Sequence, residues 1–153
     1  MNKPKASRAI FWGGLIAGTL DITAACVYSR LRANVKPMRV LQSVASGLLG
    51  PDSYKGGVKT AVLGLALHFL IATTATIVFY LASRKLRFMI ARPVTWGLVY
   101  GVLVYLFMNF VVLPLSALQM RTPPPLSSRI INCLIIMFCV GLPISLIVRR
   151  FSK

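Results

Sequence analysis

Four long apolar stretches, residues 9–29, 60–83, 93–120 and 130–148, alternate along the chain with short segments crowded with Lys and Arg. Asp21 is the sole formal charge inside them. A helix needs about 20 apolar residues to cross roughly 30 Å of hydrocarbon. Barrel strands are about 10 residues long and alternate apolar with polar side chains, whereas these stretches are apolar on every face. The pattern predicts an all-α integral membrane four-helix bundle forming a single domain over residues 1–153, with spans at about 7–29, 57–83, 93–118 and 128–148.

The segment between the first two spans has a different pattern. Asn34 to Pro37 reads as a turn into a helix start, because proline is tolerated in a first helical turn. Over residues 37–49, Leu41, Val44, Ala45 and Leu48 share one helix face, with Gln42, Ser43 and Ser46 on the other side. Gly50-Pro51 ends it. This predicts a short amphipathic helix, interfacial or re-entrant, too short to span. Pro114 is expected to bend the third span near its exit. Residues 121–125, with three consecutive prolines, read as a stiff connector into a fourth span that contains Pro143.

Composition narrows the environment. Hydrophobic residues make up 57% of the chain and charged residues 13%, against about 25% charged in ordinary globular domains. With a mean hydropathy of +0.77, the chain has too little polar surface to cover a soluble exterior. Eighteen Lys and Arg against two carboxylates give a net charge of +16. These cations are scattered over the ends of the apolar stretches and not gathered on one face, which points to the lipid bilayer and anionic lipid head groups as partners and argues against nucleic acid. Trp12, Trp96 and Tyr28 lie near span ends as interfacial anchors.

Counting cations gives the orientation. Lys3, Lys5, Arg8, Arg84, Lys85, Arg87, Arg92, Arg149, Arg150 and Lys153 fall on one side. The other side takes the smaller set, Arg30, Arg32, Lys36, Arg39, Lys55, Lys59, Arg121 and Arg129. The positive-inside rule therefore places both termini in the cytoplasm. Lys3, Lys5 and Arg8 before the apolar residues 10–20 have the outline of a leader, and Thr23-Ala24-Ala25-Cys26 that of a lipoprotein cleavage box. Asp21 inside the apolar region argues for a retained first span.

Asp21 is the leading chemical candidate. A carboxylate near mid-membrane costs at least about 3 kcal/mol on insertion scales, so it needs a partner, a proton or a task. His68, the one histidine, lies at similar depth in the second span. Gly14, Gly18, Asp21 and Ala25 share a face of the first span; Ala61, Gly64, His68, Ala72 and Ala75 form a small-residue stripe on the second. On the third, Gly97 and Gly101 continue into Tyr105 and Asn109, candidate members of the same polar network. Gly14, Gly18, Gly64, Gly97 and Gly101 are read as helix-packing positions. The Asp21–His68 pair serves either as a clasp that sets helix register or as a proton relay in a small transporter or channel.

Cys26, Cys133 and Cys139 all lie in apolar stretches, without metal-ligand spacing, and the Thr hydroxyls can bond their own backbone, so no nucleophile stands out. No phosphate loop or zinc-protease motif occurs. No cofactor, metal or catalytic residue is expected; a homo-oligomer is compatible with the small-residue faces. Asp52 reads as a solvated loop residue within reach of Lys55.

Three segments carry a resemblance: Gly13-Gly14-Leu15-Ile16-Ala17-Gly18-Thr19-Leu20-Asp21, Arg39-Val40-Leu41-Gln42-Ser43-Val44-Ala45-Ser46-Gly47-Leu48-Leu49-Gly50, and Gly64-Leu65-Ala66-Leu67-His68-Phe69. Together they resemble small four-helix proteins of the bacterial inner membrane. The resemblance implies that location and brings no activity or ligand.

Overall fold

A computed structural model describes residues 3–117 and 125–152. Every regular element among them is helical: α1 (Lys3–Ala33), α2 (Pro37–Leu49), a 3-10 segment (Gly50–Lys55), α3 (Gly57–Lys85), a short α4 (Phe88–Ala91), α5 (Pro93–Leu115) and α6 (Leu126–Ser152). Four of these, α1, α3, α5 and α6, are long and apolar enough to cross a membrane. The proline connector and the end of the third stretch, residues 118–124, lie outside the described residues.

Local chemistry sets the breaks. Asn34 takes a left-handed φ of 52° after α1 and donates its N–H to the Arg30 carbonyl at 3.0 Å. Asparagine is among the few residues besides glycine that adopt this conformation readily. Pro37 opens α2 in its first turn. Within α5 and α6 one turn widens to π geometry, at Met108–Val112 and Met137–Gly141. Each sits just before a proline. Pro114 and Pro143 have no N–H for the carbonyl four residues back, and the ring pushes that carbonyl away. Those carbonyls belong to Phe110 and Cys139, the middle residues of the two wide turns. A widened turn is one way a helix accommodates this misfit.

The four long helices run alternately up and down. Gly13 lies against Thr76, and Gly18 against Phe69 and Ala72, so α1 and α3 are antiparallel. Gly97 meets Ser145 and Leu142, whereas Gly101 meets Met137, so α5 and α6 are antiparallel as well. Helix α1 packs on both α3 and α6, and α5 packs chiefly on α6. The core joins the two pairs near the end where α1 begins and α6 finishes. There Ala9, Ala17, Phe79, Tyr80, Met89, Tyr100, Val140, Ile144 and Val148 are buried together. Tyr100 braces α5 against α3: its hydroxyl donates to the Ala75 carbonyl at 2.6 Å, and its ring meets Phe79 edge-on at 5.0 Å. Tyr100→Phe is expected to cost about 0.5–1.5 kcal/mol, the usual net value of one hydrogen bond, read from unfolding in mixed micelles.

The surface is inverted relative to a soluble protein. Leu31, Phe110, Leu115 and Leu126 point outward and are strongly exposed, whereas Gln42, Ser46, Thr76, Ser83 and Ser145 are buried. Each of these five polar side chains has a hydrogen bond; Ser145 donates to the Pro93 carbonyl at 2.7 Å and ties α6 to the start of α5. Two other buried hydroxyls, Ser53 and Ser128, lack a hydrogen-bond partner among the described residues; apolar side chains outside and mostly satisfied polar groups inside suit a hydrocarbon solvent.

Helix α2 shows the same inversion. Its buried residues are Gln42, Ala45 and Ser46, while Met38, Leu48 and Leu49 face outward. Gln42 and Ser46 are thus turned to the protein together with Ala45. Gln42 Nε2 donates to the Gly57 carbonyl at 3.0 Å and to Thr60 Oγ1 at 3.3 Å. Backbone contact occurs at Gly64, where an added Cβ would meet the Leu41 carbonyl and come within 3.2 Å of the Ala45 nitrogen. Beyond α2, the Ala117 N–H donates to the Gly47 carbonyl at 2.9 Å, so α2 also touches the chain just past α5.

Candidate functional site

The polar candidates must be placed by depth first. Asp21 lies three residues past the middle of α1, and His68 three residues before the middle of α3. With α1 and α3 antiparallel, both sit about 4.5 Å from their helix centres on the same side. Their side chains are mostly covered, with 20% of Asp21 and 13% of His68 exposed. Gly14 and Gly18 create the approach: an added Cβ at Gly14 would lie 2.6 Å from Thr73 Oγ1, and one at Gly18 would lie 2.7 Å from the Phe69 ring. Small residues at these positions let α3 close on α1.

The resulting geometry has one short contact and one long one. His68 Nε2 lies 2.9 Å from the Gly18 carbonyl oxygen and 3.9 Å from Asp21 Oδ2. Because a carbonyl can only accept, Nε2 carries the proton in this contact and donates to Gly18. The carboxylate stands beyond direct hydrogen-bond reach of the same nitrogen; a bridging water or a small shift would connect them. The imidazole ring also packs edge-on against Phe69 at 5.8 Å.

Cys139 of α6 lies in the wide turn before Pro143 and is half-buried. All three cysteines are free thiols. The sequence offered Cys139 as a small hydrophobe; the proline four residues downstream was the available signal that its turn is unusual.

Tyr105 and Asn109 lie elsewhere in the hydrogen-bond pattern. The Asn109 amide donates to the Tyr105 carbonyl at 2.8 Å within α5. Among the described residues neither side chain is hydrogen-bonded to Asp21 or His68. The reason is the partner of their helix. The Gly97–Gly101 row turns toward α6, where Gly141 meets both glycines, and not toward α1 and α3. The close packing expected among the first three spans is therefore divided: α1 with α3, and α5 with α6. Gly64 also faces a different neighbour from His68, since its contact is α2.

The threonines bond their own helices: Thr19 to Leu15, Thr23 to Thr19, Thr74 to Leu70 and Thr76 to Ala72. None is poised as a nucleophile. Outside the spans, Lys55 Nζ donates to Asp52 Oδ1 at 2.9 Å. The ammonium holds the Asp52 carboxyl below its usual range, and the carboxylate in turn raises the Lys55 pKa.

No family model, curated protein or solved structure matches the chain. The site is therefore read from its own geometry.

Proposed function

We propose that this chain is a structural or accessory multi-pass membrane protein in which Asp21 and His68 form a polar clasp that sets the register of α1 against α3. The observation that carries this reading is the 2.9 Å contact from His68 Nε2 to the Gly18 carbonyl. It spends the imidazole N–H on a backbone acceptor of the neighbouring helix. Such interhelical bonds average about 0.6 kcal/mol in membranes and reach about 1.7 kcal/mol, yet they specify packing. The cation distribution supports both termini in the cytoplasm and anionic lipids as the surrounding partners; the bacterial inner membrane is what the resemblance of the three segments implies.

The test compares His68→Gln with His68→Leu in reconstituted protein. Glutamine retains a donor and is expected to keep most of the stability; leucine is expected to lose about 0.6–1.7 kcal/mol. Liposomes containing the wild type are expected to show no proton flux above empty liposomes. Flux that disappears in Asp21→Asn, with folding intact, would replace the clasp by a second reading.

That second reading is a small proton-coupled transporter or channel subunit. It is favoured by the company Asp21 keeps: an imidazole at 3.9 Å in a mostly covered setting between two long apolar helices. In that case an infrared band of a protonated carboxyl, absent from Asp21→Asn, changes in amplitude with pH. A locked clasp gives no such band.

A further inference from the structure

A groove runs between α3 and α5 on the side away from α1. It is lined by Leu70, Thr74 and Val78 on α3 and by Leu103, Phe107 and Val112 on α5, and it has a volume of about 630 Å³. The Thr74 hydroxyl is bonded to the Leu70 carbonyl, so the lining offers hydrocarbon to an occupant. Tyr100 closes one end by its bond to Ala75. At the other end Val112 precedes Ala117 in the chain, whose N–H bonds the Gly47 carbonyl of α2.

We propose that this groove holds one acyl chain of an anionic phospholipid that enters from the leaflet on the α2 side. The inference rests on the membrane-spanning reading and is independent of the role given to Asp21 and His68. Depth is the first argument: α3 and α5 are both apolar helices of spanning length, and the groove opens sideways between them into what would be bilayer hydrocarbon. Length is the second. From Tyr100 to Val112 the wall covers about 18 Å, slightly more than half of a roughly 30 Å hydrocarbon core. That is the reach of one chain hanging from one leaflet.

Width favours a lipid chain over a helix from a second copy. A helix with side chains is about 10–12 Å across and would lie across the mouth of the groove, whereas a single unbranched chain is thin enough to enter between α3 and α5.

Charge selects the head group. On the α2 side Arg30, Arg32, Lys36, Arg39 and Lys59 are exposed. The one carboxylate among the described residues there, Asp52, is already bonded to Lys55. Each cation near an anionic lipid surface favours it about five-fold.

The experiment uses full-length protein in bilayers of phosphatidylcholine doped with phosphatidylglycerol carrying a photoreactive diazirine at the chain terminus. Mass spectrometry maps the adducts. The proposal expects adducts concentrated on residues 70–78 and 100–112. It expects about five-fold or greater loss when the same label is carried on phosphatidylcholine. It also expects loss of these adducts in Leu103→Trp, which fills the groove from the lipid side. Thr74→Val, which leaves the space open, is expected to retain them and controls for misfolding. Adducts spread evenly over the outward faces of all four long helices overturn the site. Equal labelling by the two head groups overturns its anionic selectivity. A disulfide-linked dimer from Leu103→Cys in a chain otherwise lacking cysteine overturns the occupant in favour of a second copy. A chain that takes no label anywhere overturns the membrane-spanning reading itself.

Discussion

Gly141→Val is expected to separate α5 from α6 and to leave little folded protein. An added Cβ at Gly141 would lie 2.6 Å from the Gly101 nitrogen and 2.7 Å from its Cα, and would also strike the Gly97 carbonyl. All three obstacles are backbone, so no side-chain rotation relieves them. Overpacking a core ordinarily costs about 1–3 kcal/mol; with backbone on every side the cost here is expected above about 3 kcal/mol. Loss of a monodisperse peak on size exclusion in detergent, together with a lowered unfolding midpoint, is the readout. The companion substitution Gly57→Ala discriminates position from type. Gly57 has open space for a Cβ but a φ of +57°, so its cost is expected to stay near the 1–2 kcal/mol of an alanine placed in a left-handed conformation, roughly. A Gly141→Val protein as stable as the wild type would show that α5 and α6 do not meet through these glycines.

Gly64→Leu is the second large effect, and it acts on one helix. The Leu41 carbonyl carbon would lie 2.8 Å from the new Cβ, and the rest of the leucine would occupy the space of α2. Helix α2 must lift from α3, which strips Gln42 of its bonds to Gly57 and Thr60. The combined cost is expected at about 3–5 kcal/mol, from overpacking plus a polar group left without partners. Because α1 meets α3 elsewhere, at Gly13, Gly14 and Gly18, the long helices are expected to survive. The discriminating measurement is hydrogen exchange: residues 37–49 lose protection while residues 66–83 keep it. Uniform loss across both would mean that α2 is integral to the fold of α3.

These two sites show what a sequence can and cannot disclose. The four long helices were legible because hydrocarbon thickness imposes a run length, and the stretches at residues 9–29, 60–83, 93–120 and 130–148 meet it. Which face met which neighbour was harder. Gly14 and Gly18 do receive α3, but Gly64, on the same stripe as His68, receives α2, and Gly97 and Gly101 receive α6. A small residue permits close approach and does not say whose. Gly141 was unmarked because it has no glycine four residues away, although it is the knob that fits between two that do.

The same limit applies to the polar residues. Asp21 and His68 could be aligned by counting 1.5 Å per residue from opposite ends. Asn109 could not be placed this way, because the wide turn at Met108–Val112 shifts the register of everything beyond it. Pro114 marked the place where the helix departs from regular geometry, and the departure takes the form of the wide turn at Met108–Val112. In α2 the expected apolar face is divided: Ala45 is buried together with Gln42 and Ser46, whereas Leu48 turns outward.

The seat of α2 also bears on how the chain is made. The two groups that satisfy Gln42 lie 15 and 18 residues further along the sequence, at Gly57 and Thr60. While a ribosome has delivered only α1 and α2, neither exists outside the exit tunnel. Until α3 emerges, α2 has a glutamine with no protein partner and must remain where water can reach it. Its docking is thus a timed event, triggered by arrival of the second long helix. A cysteine label on that face would report, during synthesis, the moment at which α3 takes its place.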